Sequence, residues 1–165
     1  MLNFGDKVDG RYLVEAEIGR GGMGIVLRVF DVIEVEQVAL KYCPSDEDEQ
    51  LRRFAREVRL MANIEHENVM PVTASNLTYD PPYFTMPLAT GSIADEIAAG
   101  ISEDDALEIF KEICHGVQAC HNGGTTHRDI KPSNAMRLQD ETIVVTVSAQ
   151  LERSSVGHEP ELTAR

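Results

Sequence analysis

The spacing of apolar and polar residues divides this chain into a strand-rich first half and a helix-rich second half. Alternating or β-branched runs predict strands over residues 12–19, 24–32, 37–43, 69–73, 83–86 and 142–147. Turn-forming residues separate these runs, among them Asp80-Pro81-Pro82 before the fifth strand. Five of the six predicted strands therefore lie before residue 87.

Apolar residues recur at helical spacing in three other segments. The first runs from about Ser45 to Asn63, where Ser45 and Asp48 have the spacing of a capping box. A short helix is predicted over residues 92–99. The third starts at Ser102, with Asp105 as the second member of another capping box, and ends at the stop signal Asn122-Gly123-Gly124.

This order of elements favours an α+β fold with strands and helices segregated. We expect an antiparallel sheet lobe with one helix over residues 1–87, and a mainly helical lobe over residues 88–165. The joint falls near residues 87–91. The last segment, residues 154–165, is polar and is expected to be flexible.

Composition narrows the classes of function. The 165 residues carry a formal net charge of -13, so the chain offers few cations to nucleic acid or to anionic membranes. The N-terminus lacks the pattern of a signal peptide, and no run approaches 18 apolar residues. Cys43, Cys114 and Cys120 match neither a disulfide framework nor a zinc site, so buried or half-buried reduced thiols and a cytoplasmic location are expected.

Two stretches of the sheet half carry candidate chemistry. Gly19, Gly21 and Gly24 give the spacing G-x-G-x-x-G, which occurs in dinucleotide-binding turns and in glycine hairpins. Strand-like sequence follows it, which favours a hairpin whose backbone N–H groups can approach phosphates. Lys41 ends the apolar run VALK, so it either pairs with an anion such as Glu57 or lies at an edge that faces water.

These stretches, together with HRDIKPSN at residues 127–134 and in this order, resemble the eukaryotic-type serine/threonine protein kinase family. The resemblance runs from about residue 12 to residue 153 and covers the N-terminal part of the family's domain. It implies a kinase-like fold with an incomplete helical C-lobe. It also implies an enzyme that transfers the γ-phosphoryl group of ATP to a protein Ser or Thr hydroxyl, with ATP and Mg2+ as cofactors.

The resemblance also assigns roles to residues. Lys41, paired with Glu57, holds the α- and β-phosphates, Asp129 orients and deprotonates the acceptor hydroxyl, and Lys131 neutralises the phosphoryl group in transfer. Asn134 is the implied metal ligand. Met86 lies at the position that gates the adenine pocket, and Pro87 and Ala89 offer the adenine a carbonyl and an N–H. The implied nucleotide-binding set is Ile18, Gly19, Gly21, Gly22, Gly24, Val26, Ala39, Lys41, Met86, Pro87 and Ala89.

The sequence departs from the family where a metal-binding Asp-Phe-Gly is expected. Ser148-Ala149-Gln150 stands there, or Val147 with a shift of one residue, and neither position supplies a carboxylate. The segment after Arg153 resembles only the start of an activation segment. Part of the apolar stripe that includes Ile109 and Phe110 is therefore expected to be exposed, or covered by a partner or by the tail.

Three interpretations remain open at this level. In the first, the chain is the N-terminal part of an active kinase. In the second, it is a pseudokinase-like module that holds nucleotide, or docks a partner, without catalysing a reaction. In the third, it is an incomplete product of a shifted reading frame, which translation of the neighbouring DNA in all frames would test. The protein substrate and the activating signal cannot be read from the sequence.

Overall fold

The computed structural model of the chain describes residues 1–22, 24–125 and 129–147. Its main element is a six-stranded antiparallel sheet in the order β1-β2-β3-β4-β6-β5. The strands are β1 (Lys7–Val8), β2 (Tyr12–Gly21), β3 (Gly24–Asp31), β4 (Glu36–Tyr42), β5 (Ala74–Asn76) and β6 (Tyr83–Pro87). The predicted antiparallel sheet of the first half is thus confirmed.

Helix α1 (Asp48–Ala62) connects β4 to the loop that leads into β5. It packs its apolar side, including Phe54, Val58 and Met61, into a buried cluster. The predicted start at Ser45 is wrong: Glu47 is the N-cap residue and makes no side-chain cap hydrogen bond. The Ser45 hydroxyl instead accepts a hydrogen bond from the Glu47 N–H at 3.1 Å, a local bond that competes with helix capping.

The second half contains α2 (Ile93–Ala99), α3 (Glu103–Asn122) and a three-stranded sheet in the order β7-β8-β9. These short strands are β7 (Gly91–Ser92), β8 (Ala135–Arg137) and β9 (Ile143–Val145). Ser92 caps α2 in a capping box with Asp95, and the Ser102 side chain accepts from the Asp105 N–H at the start of α3. Gly123 is the C-cap of α3, which confirms the predicted stop.

The strand predicted over residues 69–73 is wrong. Val69 forms a single parallel bridge with Val145, and the strand that pairs with β6 begins only at Ala74. Pro71 explains the difference, since proline has no N–H to contribute to a ladder. The Val69 bridge nevertheless ties this segment to β9.

One buried cluster joins the two halves of the described chain. It contains Phe54, Val58 and Met61 of α1, Phe84 of β6, Val144 and Val145 of β9, and Cys120 of α3. A hydrogen-bond network supports it: the Glu112 carboxylate accepts from the Asn68 side chain at 3.0 Å and from the Ile143 N–H at 2.9 Å. The division into lobes at residue 87 stays a prediction.

The long helix α3 buries only part of its apolar stripe. Ile109 and Cys120 are buried, whereas Phe110 is 62% exposed. The expectation of a partly exposed stripe is confirmed, and the partner that would cover it stays a prediction.

Cys114 is exposed, which corrects the expectation that every thiol is at least half-buried. No helix among the described residues is long and apolar enough to cross a membrane.

Candidate functional site

The glycine motif forms the hairpin turn between β2 and β3, as the hairpin interpretation predicted. Gly24 has a φ of +149°, and a Cβ atom there would lie 2.5 Å from the carbonyl oxygen of Tyr42. For both reasons, a residue other than glycine at position 24 would require the backbone to shift. Around Gly21 and Gly22 a Cβ atom would meet nothing within 4 Å, so their backbone is open to approach.

Lys41 and Glu57 form an ion pair across the sheet and α1. The lysine Nζ lies 2.5 Å from the carboxylate Oε1, and the side chains are 17% and 1% exposed. Lys41 Nζ also lies 5.8 Å from the centre of the Phe84 ring, within range of a cation–π contact. The pairing alternative for Lys41 is confirmed, and the alternative of a lysine facing water is wrong.

The second carboxylate oxygen of Glu57 has no partner within the part of the chain that the structure describes. Glu57 Oε2 is buried and has no hydrogen bond among the described residues. A buried acceptor without a donor is costly, so native proteins seldom leave one unsatisfied. Glu57 lies in the wall of a cleft of about 400 Å³, where a bound molecule or a further segment of chain could supply the donor.

This cleft brings most of the predicted site residues together. We call its wall from β2, β3, β4, β6 and α1 the sheet side, and its wall from residues 129–147 the loop side. The predicted residues that line it are Gly19, Gly21, Gly22, Gly24, Val26, Lys41, Glu57, Met86, Asp129, Lys131 and Asn134. Residues from positions more than 100 apart in sequence therefore share one site.

On the loop side, Asp129 is the centre of a hydrogen-bonded group. Its Oδ2 accepts from Lys131 Nζ at 2.8 Å and from Asn134 Nδ2 at 2.9 Å. A short 3-10 helix, Pro132–Asn134, places Asn134 back against Asp129. The Thr146 N–H and hydroxyl both donate to the Asn134 carbonyl, at 2.9 and 3.1 Å, and so fix this turn to the end of β9.

Four predicted residues do not line the cleft. Ile18 is 48% exposed, and Ala39 is buried in β4 opposite Met86. Pro87 pairs with Val38 at the end of β6, and Ala89 is half-buried beyond it. Their assignment to the adenine position stays a prediction.

The cleft also contains residues that the sequence did not indicate as site residues, namely Arg20, Met61, Phe84 and Thr146. Val147, the alternative position for the metal-binding residue, lines it as well. Two of them had a usable signal. Met61 is four residues after Glu57 and thus on the same face of α1, and Phe84 is two residues before Met86 and thus on the same face of β6. Thr146 follows a buried strand and carries no comparable signal.

The donors on the loop side are incomplete for magnesium. Asn134 offers an amide oxygen, and the Asp129 carboxylate already accepts from two side chains. The described residues contain no group of three or more His, Cys, Asp or Glu side chains that could hold a metal ion. Ser148-Ala149-Gln150, the stretch aligned with the family's metal-binding motif, lies outside the described residues, as do His127 and Arg128.

The fold and the glycine-covered cleft define a kinase-like α+β protein. The chain belongs to the protein kinase domain family, whose pattern it matches over residues 12–148. The corresponding family expectation from the sequence is thus confirmed, together with the fold class. Membership implies the use of ATP and magnesium by the family in general.

Individual relatives agree with this assignment. The chain is 36% identical over 143 residues to the serine/threonine-protein kinase PknD of Chlamydia pneumoniae, covering 76% of this chain and 15% of that protein. It is 31% identical over 153 residues to a probable serine/threonine-protein kinase PknB of Lactococcus lactis subsp. lactis, covering 88% and 24% respectively. The chain therefore spans less than a quarter of the length of these relatives.

A solved structure shows the same fold. The kinase domain of Mycobacterium tuberculosis PknI, in a mutant form, superposes with a TM-score of 0.71 at 24% sequence identity. The match covers 90% of this chain and 62% of that one. At this identity the likeness concerns the fold alone.

Proposed function

We propose that this chain carries the nucleotide-binding and phosphoryl-transfer residues of an ATP-dependent serine/threonine protein kinase. The observation that carries the proposal is the buried Lys41–Glu57 pair in the same cleft as Asp129, Lys131 and Asn134. The cleft thus holds Lys41 and Lys131 together with Asp129, a carboxylate that can accept a proton. Phosphoryl transfer depends on this kind of positioned charge more than on covalent chemistry.

Each residue has a defined part in the proposed reaction. Lys41, held by Glu57, binds the phosphates that remain in ADP, and Asp129 orients the Ser or Thr hydroxyl and takes its proton. The hydroxyl oxygen forms a bond to the γ-phosphorus as the bond to the ADP oxygen breaks. Lys131 offsets the negative charge on the transferring group. Magnesium, when bound, would neutralise phosphate charge, with Asn134 as one ligand.

Transfer of radiolabelled phosphate from ATP to a generic protein substrate tests this proposal. We expect measurable transfer by the parent chain and a loss of about 10²–10⁴-fold in Asp129→Asn, the range for removal of a general base. Glu65→Gln serves as a control, since this exposed carboxylate lies outside the cleft lining. An absence of transfer by the parent chain with either magnesium or manganese would refute the proposal.

A second candidate function is nucleotide binding without transfer. The absence of a carboxylate from Ser148-Ala149-Gln150 favours it, because magnesium prefers charged oxygen ligands. Calorimetry with ATP separates the two candidates. Binding that is unchanged by magnesium supports the second function, whereas a strong magnesium requirement contradicts it.

A gain-of-function variant sharpens this measurement. In Ser148→Asp, the affinity for ATP should acquire a magnesium dependence of about tenfold, equivalent to about 1.4 kcal/mol. Gln150→Asp adds the same charge two residues away and should not acquire it. If both variants respond equally, net charge rather than a metal ligand is responsible.

A further inference from the structure

Thr146 makes two hydrogen bonds to one acceptor just after the end of β9. Its N–H donates to the Asn134 carbonyl at 2.9 Å, and its hydroxyl donates to the same carbonyl at 3.1 Å. A single donor is enough to satisfy a backbone carbonyl, and the N–H already provides it. The hydroxyl is therefore an additional restraint on the position of Asn134, and it is the restraint that depends on the side chain.

Asn134 in turn holds the Asp129 carboxylate. Its Nδ2 donates to Asp129 Oδ2 at 2.9 Å and to the Asp129 carbonyl at 2.8 Å. These bonds require the short 3-10 helix Pro132–Asn134 to keep its place, and the Asn134 N–H closes that turn onto the Lys131 carbonyl at 2.9 Å. A shift of the Asn134 backbone would therefore move or break the bonds that orient Asp129.

The strand behind Thr146 is a rigid support for this arrangement. All three residues of β9, Ile143–Val145, are at most 2% exposed. The Val145 N–H donates to the Asn68 carbonyl, and the Val145 carbonyl accepts from the Met70 N–H, both at 3.0 Å. Thr146 itself is half-buried and lines the cleft. It therefore connects a fixed strand to the loop side of the cleft.

We propose that Thr146 is a positioning residue for phosphoryl transfer, whose hydroxyl keeps Asn134 where it orients the Asp129 carboxylate toward the acceptor hydroxyl. This inference rests on the proposed function, because it gives the orientation of Asp129 a use. Thr146 acts through Asn134 rather than on the reacting groups. Misplacing a catalytic group lowers the rate of the chemical step. Loss of the hydroxyl should therefore affect this step, whereas ATP binding depends on the sheet side.

Steady-state phosphate transfer by Thr146→Val tests the proposal, since valine has the shape of threonine without the hydroxyl. We expect kcat to fall about fivefold, the equivalent of one ordinary hydrogen bond, and KM for ATP to change less than twofold. Thr146→Ser keeps a hydroxyl and should restore most of the parent kcat. An unchanged kcat in Thr146→Val, an equal loss in both variants, or a change confined to KM overturns the proposal.

Thr90→Val is the matched control, because Thr90 makes the same pair of bonds elsewhere. Its N–H and its hydroxyl donate to the Arg137 carbonyl at 2.8 and 3.1 Å, and Thr90 lies outside the cleft lining. The Arg137 carbonyl has no bond to Asp129 in this arrangement, so Thr90→Val should keep the parent kcat. An equal fall of kcat in Thr90→Val and Thr146→Val would show a general loss of stability and would overturn the proposal.

Exchange of the Asn134 side-chain amide protons with solvent gives a readout that does not depend on activity. In NMR spectra of the full chain, these protons should exchange about fivefold faster in Thr146→Val, for the same loss of one bond. Thr146→Ser and Thr90→Val should exchange at the parent rate. If the parent chain transfers no phosphate, the proposed function fails, yet faster exchange in Thr146→Val still supports the positioning of Asn134. Unchanged exchange in Thr146→Val overturns the inference, whether or not the chain is active.

Discussion

The two sides of the cleft hold their charged residues in different ways. On the sheet side, Lys41 and Glu57 are 17% and 1% exposed and belong to β4 and α1. On the loop side, Lys131 and Asp129 are 50% and 29% exposed, beside a single turn of 3-10 helix. Because the Lys41–Glu57 pair is buried in the core, replacing either residue should lower the stability of the fold as well as nucleotide binding. Replacing Lys131 or Asp129 should impair phosphoryl transfer with little effect on stability.

The largest expected effect tests the sheet side. Lys41→Met should lower the free energy of unfolding by about 3–5 kcal/mol, because it leaves the Glu57 carboxylate buried without a cation. Urea denaturation measures this loss. The double variant Lys41→Met/Glu57→Leu should recover most of the stability, since apolar residues often replace a buried ion pair at little cost. An equally unstable double variant would contradict the ion-pair explanation.

Much of this site was predictable from the sequence because its chemistry depends on unusual residues in local patterns. Gly24, Lys41 and Asp129 stand in short motifs, and each role requires a particular residue type. Met61 and Phe84 are ordinary apolar residues. Periodicity places them on the same faces as Glu57 and Met86, but only packing decides that these faces border the cleft as well as the core.

The fold was predictable to a similar degree and for similar reasons. Long elements with strong periodicity, such as β3 and α3, agree with the prediction, whereas short ones depend on individual hydrogen bonds. The missed start of α1 follows from one hydroxyl, that of Ser45, and the displaced strand β5 follows from Pro71. The strands β7 and β8, of two and three residues, have too few residues to show a pattern.

An intermediate effect tests the close contact of α3 with Asn68, which is hydrogen-bonded to β9. A Cβ atom on Gly116 would overlap the carbonyl oxygen of Asn68, which accepts from the Val145 N–H at 3.0 Å. Gly116→Ala should therefore lower the free energy of unfolding by about 1–3 kcal/mol through overpacking. Helix propensity alone predicts the opposite sign, a gain of up to about 1 kcal/mol.

Gly91→Ala is the matched control for this substitution. A Cβ atom there would meet nothing within 4 Å, and Gly91 has no positive φ. We expect a change within about 0.5 kcal/mol, measured by thermal or urea unfolding. A stabilised Gly116→Ala variant would show that α3 can move away from Asn68, contrary to the close packing described above.

The smallest effects concern two carboxylates that make comparable bidentate ion pairs in the two halves. In the sheet half, hydrogen bonds from Arg11 lower the pKa of Asp31, which is 3% exposed. In the second half, hydrogen bonds from Arg137 lower the pKa of Glu96, whose side chain is 27% exposed. A carboxyl with a lowered folded-state pKa stabilises the protein above its ordinary pKa of about 4, and this contribution is lost as the pH falls through the folded value.

Neutral variants of Asp31 and Glu96 should therefore differ in how their stability changes as the pH falls. Asp31→Asn should cost about 1.5–3 kcal/mol at pH 7, as for hydrogen bonds to a buried charge, and Glu96→Gln less than about 1 kcal/mol, as for a partly exposed pair. Urea unfolding from pH 7 down to about pH 3 should show a flatter pH dependence in Asp31→Asn than in the parent chain, because the group that loses its charge is gone. Glu96→Gln should follow the parent chain closely, since solvent already screens its pair. If the pH dependence of stability flattened equally in both variants, burial would not explain a difference between the Asp31 and Glu96 ion pairs. The Lys41–Glu57 pair would then be the remaining evidence that buried pairs of the sheet half carry more stability.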